Sequence, residues 1–513
     1  MRLSKKLGSA LVGGLLVTTA IGYQAASYEH HEGQETEALN TELPVGIKGD
    51  RMRGFFAAYE NQDPEAYRNW LLENRTEEAL GMAPLEARVG QFEMDLEDFG
   101  KWTILQVEEV QPNMFEVLVQ EADHGEYRKV IFVFDDTAPF KIGPMGLQPS
   151  MGPGQEVNFD FPWDNLGEFI DEYRAQSGIL GVALGVMKEG VVVDIAARGQ
   201  RLVGGPEDVE LDDKFHWGSI TKSVTGTMIG KLIEEGVLDW DTTVGEVLGE
   251  LEMRDEYRNA KLWQVMGHQA RIPGYGNIDQ DMAARFMAYT GTETERRGQF
   301  LADVLMEEPV RVGVYSNAGL SLAGYMAEVA TGRTWQDLVQ EHVFDAIGMA
   351  TAGFGWPVTQ EDPNQPQGHF GGPGKYEPQP EGAMETLIKI MAPAGDVHSS
   401  VGDLLKYGQF HLDGMNGKDG YLKATTVQGL HTPQPGQEPA FGEDYTFGWG
   451  HFCQGLEDAG ACQGHNGSGG TYFAEVQLYL EHNMVSAYFT NVFNPAEFYS
   501  GNVFRAMFDR FSR

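Results

Sequence analysis

Apolar residues in the first third of the chain recur at near-helical spacing, with Phe55, Phe56, Tyr59, Tyr67, Trp70 and Leu71 on one side. That period predicts helix. Alternating apolar and polar runs follow over Trp102 to Val110, Met114 to Gln120 and Tyr127 to Phe134. Gln111-Pro112-Asn113 and Asp123-His124-Gly125 between them are hairpin signals. Residues 45–145 are therefore expected to form a small α+β domain, helix against an antiparallel meander. The stretch from Gly143 to Gly154, GPMGLQPSMGPG, carries no period. Its Gly, Pro and Met content predicts a linker over residues 146–162, which leaves 163–513 as the main domain. The pattern there predicts a helix over Leu166 to Ser177 and a hairpin from Gly181 to Lys188 and Val191 to Arg198, turning at Glu189-Gly190. A long helical middle follows. Strands return around Tyr445 to Phe452, Thr471 to Leu480 and Met484 to Thr490, and Val503 to Phe511 closes as helix. Strands at both ends imply one sheet completed by the two termini.

A chain of 513 residues is long for one core, which agrees with two domains. Hydrophobic residues at 42% are ample for a folded protein. Against 37 basic side chains stand 76 acidic ones, a net charge of -39 that repels phosphate backbones and anionic headgroups. Nucleic acid is excluded as a partner on that ground. The start of the chain reads as an address: Arg2, Lys5 and Lys6 precede an apolar run from Leu7 to Ile21, and Ala20, Gly22, Ala25 and Ala26 offer cleavage positions. A signal peptide over residues 1–26, with no stable membrane span after its removal, predicts a periplasmic or secreted protein. No Cys/His spacing of metal type occurs, and no metal or organic cofactor is expected.

The candidate chemistry lies in FHWGSITKSVTGTMIGKLIEEGVLDWD, Phe215 to Asp241. After the Trp217-Gly218 turn the pattern is helical up to Gly236, and Ser219 and Lys222 stack one turn apart on the same face. A serine hydroxyl needs a neighbouring base, and a buried lysine with a lowered pKa can serve as one. This is the only S-x-x-K in the chain. Tyr-x-Asn triplets begin at Tyr59, Tyr67, Tyr257, Tyr275 and Tyr315, but only Tyr315-Ser316-Asn317 leads into a small-residue helix, AGLSLAGYMAEVATG. His-x-Gly occurs at His31, His216, His369 and His465, and only His465 enters a strong strand pair near the C-terminus. A backbone N–H at Ser468, together with that of Ser219, is placed by this reading to form an oxyanion hole.

In that order the segments resemble the serine β-lactamase-like family, closest to class C β-lactamases, D-stereospecific peptidases and related esterases. The likeness covers about two thirds of the chain and rests also on LWQVMGHQARIP, on VYSNAGLSLAGYMAEVATG, on APAGDVHSSVGDLLKYGQFHL and on GHNGSGGTYFAEVQLYL. Gln269, Ala270 and Arg271 depart from the family's usual residues. The resemblance implies a β-lactamase/transpeptidase-like fold, an antiparallel sheet flanked by helices plus an all-helical region. The small domain lies outside it and is similar to cystatin-like domains. By position, Ser219 is the acylated nucleophile, Lys222 its proton partner and Tyr315 the proton shuttle. Asn317 hydrogen-bonds substrate or Lys222. His465 and Asn466 stand where many members have the lysine and threonine of Lys-Thr-Gly, and a histidine is only partly charged near neutrality. The resemblance therefore implies hydrolysis of an ester or peptide amide through an acyl-enzyme. A D,D-carboxypeptidase or class C-like β-lactamase remains as the alternative, and so does a catalytically silent relative that binds cell-wall peptide or a partner. Cys453 and Cys462 flank a short connection next to the last strands. Export would join them as a disulfide, and otherwise they are two free thiols.

Overall fold

A computed structural model describes residues 40–513, apart from 82–84, 86–87, 91, 93–95, 97–100, 123–126, 153–156, 277, 279, 381, 383–384, 439–444, 451–452 and 454–455. The expected signal peptide and the second expected hairpin turn, Asp123-His124-Gly125, lie outside the described residues. Contacts divide the chain into two compact units, with the main boundary between Val157 and Asn158 and with Gly371–Lys375 grouped with the first.

In the small unit the helical period resolves into two helices, α1 (Ile47–Asn61) and α2 (Pro64–Asn74). The break is local chemistry. Gln62 takes the left-handed conformation, Asp63 caps α2 by accepting from Ala66 N, and Pro64 fits its first turn. Four antiparallel strands follow in sequence order: β1 (Trp102–Gln111), β2 (Met114–Glu121), β3 (Tyr127–Phe134) and β4 (Ile142–Ser150). Phe55, Tyr59, Trp70, Val117, Val130 and Phe132 share the core between helices and sheet.

The last strand corrects the expected linker, which begins inside it. Gly143, Pro144, Gly146 and Pro149 read as breakers, yet Met145 and Leu147 point to the core and pair with Phe132 and Val130. Proline is tolerated because β4 is an edge strand whose outer side needs no ladder donor.

In the large unit α3 (Leu166–Ser177) leads into β5 (Gly181–Lys188) and β6 (Val191–Gly199), joined at Glu189-Gly190, where both residues have positive φ as a tight hairpin requires. The C-terminal strands β7 (Cys462–Gly467), β8 (Phe473–Tyr479) and β9 (Met484–Thr490) complete an antiparallel sheet in the order β7-β8-β9-β5-β6. Gly185 pairs with Ala487 and His465 with Val476. The sheet is covered on both faces. On one, α7 (Val401–Met415) lies so close that a Cβ at Gly408 would meet Val485 Cγ1 at 2.5 Å. On the other, Tyr173 of α3 bonds Tyr488 hydroxyl to hydroxyl at 2.8 Å, and α8 (Ala496–Phe511) sets Phe508 against Tyr479. The expected strand over Tyr445 to Phe452 is absent from the described part of that range. Gly450 makes one bridge to Gly464, and Gly448 turns at φ 92 where its backbone meets that of Lys222 and Ser223.

The helical region holds α4 (Thr221–Glu234), preceded by a 3-10 turn over Gly218–Ile220, then α5 (Glu293–Val304) and α6 (Asn317–Thr331). Residues Thr221 to Gly230 of α4 are all buried, so the helix has no solvated face over its first half. Arg297 of α5 and Glu328 of α6 form a fully buried ion pair, Nη1 to Oε1 at 2.6 Å. The same guanidinium donates to the carbonyls of Ile390 and Lys389, at 3.1 Å each. It thereby fixes the strand of chain that runs into the short helix Ala392–Gly395. Removing one partner of such a pair strands the other charge in a dry interior. Glu328→Ala is expected to cost about 3–5 kcal/mol in denaturant unfolding of the large unit, whereas Arg297→Met with Glu328→Leu recovers most of that loss. A Glu328→Ala protein as stable as wild type would contradict this account.

Candidate active site

The turn before α4 is held from three sides. Trp217 is buried, donates its ring N–H to Ser399 Oγ at 3.0 Å and its backbone N–H to Val397 O at 2.8 Å. Gly218 follows at φ 51, and its N–H donates to His216 Nδ1 at 3.2 Å. Ser219 therefore sits where a strained turn becomes a helix, with its hydroxyl facing the next turn. Lys222 Nζ lies 2.9 Å from Ser219 Oγ and 2.9 Å from the carbonyl of Ala394. The lysine is wholly buried, and desolvation holds its pKa well below the ordinary value of 10.5. An uncharged amine in that place can accept the serine proton.

Tyr315 approaches from the loop before α6. Ser316 braces it: its Oγ accepts from Gly319 N at 2.9 Å and donates to Pro273 O at 2.7 Å, and its N–H donates to His268 Nδ1 at 3.2 Å. The Tyr315 ring lies under Lys222, with Nζ 4.6 Å from the ring centre. Its hydroxyl is hydrogen-bonded to Ser219 and to Tyr445. Burial raises its pKa despite those two bonds, so at neutral pH it is a phenol with a proton to give. Asn317 does not reach Lys222. Its Nδ2 donates to Tyr275 O at 3.0 Å, because the helix start turns the amide toward the 273–275 loop.

The third wall is the end of β7. A Cβ at Gly467 would stand 2.5 Å from Ser219 N, and one at Gly218 would stand 2.3 Å from Ser468 N. The two backbone segments thus touch, and only glycine at both positions allows it. The amides of Ser219 and Ser468 are brought together beside the serine hydroxyl, as an oxyanion site needs. The Ser468 hydroxyl is turned away, donating to Tyr472 O at 2.6 Å and accepting from Gly470 N at 2.8 Å.

His465 corrects the expectation of a partly charged side chain. It is buried, and desolvation lowers its pKa to about 3. The ring is therefore neutral, with Nδ1 against its neighbour's carbonyl, Asn466 O, and Nε2 at 3.3 Å from the Tyr445 hydroxyl. Asn466 is half-buried and pairs with Glu475 in the sheet. Cys453 and Cys462 form a disulfide, Cα–Cα 6.1 Å, at the start of β7. Two residues that the sequence reading passed over also line the site. Tyr445 falls in the expected strand, and His268, whose ring lies 4.7 Å from that of Tyr315 and 5.2 Å from that of Tyr445, falls in the LWQVMGHQARIP segment, where no role is read for it. The signal at Tyr445 was the pair Gly448 and Gly450, which speaks for a turn against α4 rather than a strand.

Among the described residues no helix is long and apolar enough to cross a membrane. Residues 166–506, two thirds of the chain, match the family described as Beta-lactamase, and the helices and strands of the small unit, up to Ser150, lie outside that match. The chain is similar to Penicillin-binding protein 4 of Amycolatopsis lactamdurans, 26% identical over 334 residues, which is 63% of this chain and 84% of that protein. It is also similar to Lovastatin esterase of Penicillium rubens, 27% identical over 187 residues, 32% of this chain and 46% of that one. Among solved structures it shares its fold with the octameric penicillin-binding protein homologue from Pyrococcus abyssi, at a TM-score of 0.52 and 22% identity, with 66% of this chain and 76% of that chain covered. The similarity to SurE is comparable, at a TM-score of 0.51 and 21% identity over 66% and 73% of the two chains. The chain belongs to the Beta-lactamase family of serine hydrolases.

Proposed function

We propose that this protein is an exported hydrolase of esters or peptide amides that works through an acyl-enzyme on Ser219. The observation that carries the reading is the Ser219 hydroxyl held at 2.9 Å from a buried Lys222 whose pKa desolvation lowers, with Tyr315 on the same oxygen. In the first half-reaction Ser219 Oγ attacks the substrate carbonyl while its proton passes to Lys222 Nζ. The oxyanion forms against the N–H groups of Ser219 and Ser468. Collapse breaks the bond to the leaving group, which takes a proton from Tyr315, and Lys222 returns its own to Tyr315. Water then releases the acid by the reverse sequence. Asn317 keeps the tyrosine loop in register, and Asn466 offers a side-chain amide to the substrate from β7.

The neutral His465 supports esters and amides over β-lactams. A substrate carboxylate meets no cation there, and the net charge of -39 sets an opposing field. The apolar start of the chain and the Cys453–Cys462 disulfide support a periplasmic or secreted location. The small unit has no catalytic constellation read in it and stands outside the proposed chemistry.

Ser219→Ala is expected to abolish fluorophosphonate labelling and p-nitrophenyl ester turnover in a folded protein. Full turnover by that variant would end the proposal. Lys222 gives a second test with a definite sign. The folded lysine is depressed, so between its folded pKa and the unfolded value near 10.5 the unfolded chain binds the extra proton. Catalysis should fail as pH falls through the folded pKa. The stability of wild type relative to Lys222→Met should rise with pH across the same window, by about 1.4 kcal/mol per unit. A flat difference in unfolding free energy between pH 7 and pH 9.5 (wild type against variant) contradicts a neutral Lys222. For the substrate class, kcat/KM for a neutral ester should exceed that for nitrocefin, and added salt should narrow the gap. The reverse order would favour a β-lactamase.

A further inference from the structure

The hydrogen bonds around Tyr315 run on past the reacting groups. Ser219 is bonded to Tyr315, Tyr315 to Tyr445, Tyr445 to His465 Nε2 at 3.3 Å, and His465 Nδ1 to the carbonyl of Asn466. The far end of this chain is pinned. A carbonyl only accepts, so Nδ1 carries the hydrogen of the neutral ring and Nε2 is bare. Tyr445 must then donate to Nε2 in the resting enzyme, and its oxygen presents lone pairs to Tyr315. The phenol ring itself has little freedom. It is buried, stacks on His268 at 5.2 Å and meets Tyr315 edge-on at 5.8 Å. Only the O–H rotor can move.

We propose that Tyr445 is a positioning residue for the leaving-group step, parking its proton on neutral His465 while Tyr315 is a phenol and turning it onto Tyr315 as that proton departs. The proposal rests on the assignment of Ser219 and Tyr315 above. The balance is simple. Tyr315 O–H gives its proton to the leaving nitrogen or oxygen as the carbonyl bond to it breaks, which leaves a phenolate. The Tyr445 O–H swings from Nε2 to that oxygen and stabilises it until the protonated Lys222 restores the proton. Net, the Ser219 proton ends on the leaving group and the Tyr445 proton goes nowhere. A hydrogen bond to a full negative charge is about twice as strong as one between neutral groups, so the rotor favours the transition state over the resting phenol. It also gives the bare Nε2 a purpose: a lysine in place of His465 has no lone pair on which to park a hydroxyl while charged.

A bond used only when the leaving group needs a proton leaves a signature in leaving-group dependence. Tyr445→Phe keeps the ring and removes the rotor. It is expected to lower kcat/KM on an ethyl ester or an alkyl amide by about 10–100-fold, less than the roughly 10²–10⁴-fold of a complete general acid. On the p-nitrophenyl ester of the same acid, whose phenolate leaves unaided, the loss should stay under about 3-fold. Labelling of Ser219 by a fluorophosphonate should proceed at the wild-type rate, which also checks the fold; Tyr445→Met is the second variant should the phenylalanine form not fold. An equal loss on both esters, or no loss on either, overturns the inference and leaves the Ser219 assignment standing. Labelling at a residue other than Ser219 overturns both.

Discussion

A lysine enclosed by protein on every side can remain there only uncharged or paired, and among the described residues no carboxylate pairs with Lys222. Everything around the site follows from keeping that amine dry. The first ten residues of α4 are buried without exception, which demands cover from all directions. The Gly448 turn lies on its first turn, the Ala392–Gly395 helix supplies the carbonyl that takes one amine hydrogen, and the Tyr315 ring closes the remaining side. The buried Arg297–Glu328 pair acts at one remove, since it holds the chain that delivers Ala394. The large unit thus spends several costly groups to keep one amine enclosed.

Proximity of backbones is the second constraint. β7 and the turn before α4 meet through Gly467 and Gly218, with no side chain between them. This is what allows two amides from distant parts of the chain to share one small space. It also explains why a sheet is needed at all: β7 must be held straight to within a fraction of an ångström, and five strands with helices on both faces do that better than a loop.

Much of this was legible in the amino-acid order. The runs at Gly181–Lys188 and Met484–Thr490 are apolar and bounded by turn signals, and both strands stand where the pattern set them. Ser219 and Lys222 were legible because helical spacing turns a motif into a geometry. Three features were not. β4 was hidden by prolines and glycines that an edge strand tolerates. Tyr445 was hidden because Phe447 and Trp449 alternate as a strand would, while Gly448 bends the chain instead. The neutrality of His465 was hidden because its charge depends on desolvation by segments far away in sequence. Local pattern carries local structure. It does not carry desolvation.

The sheet has one more consequence, for the order in which the molecule can assemble. β5, near the front of the large unit, hydrogen-bonds to β9, about 300 residues later. The central pairing of the sheet cannot exist until nearly the whole polypeptide is present, so such a fold has a high contact order and closes late. A chain that stays open until its last strands arrive is threadable for that long, and its active site, which needs β7 against α4, is assembled among the final events. Until then the chain is inactive and unfinished, and the hydrolase comes into being only when the C-terminal strands are free to dock.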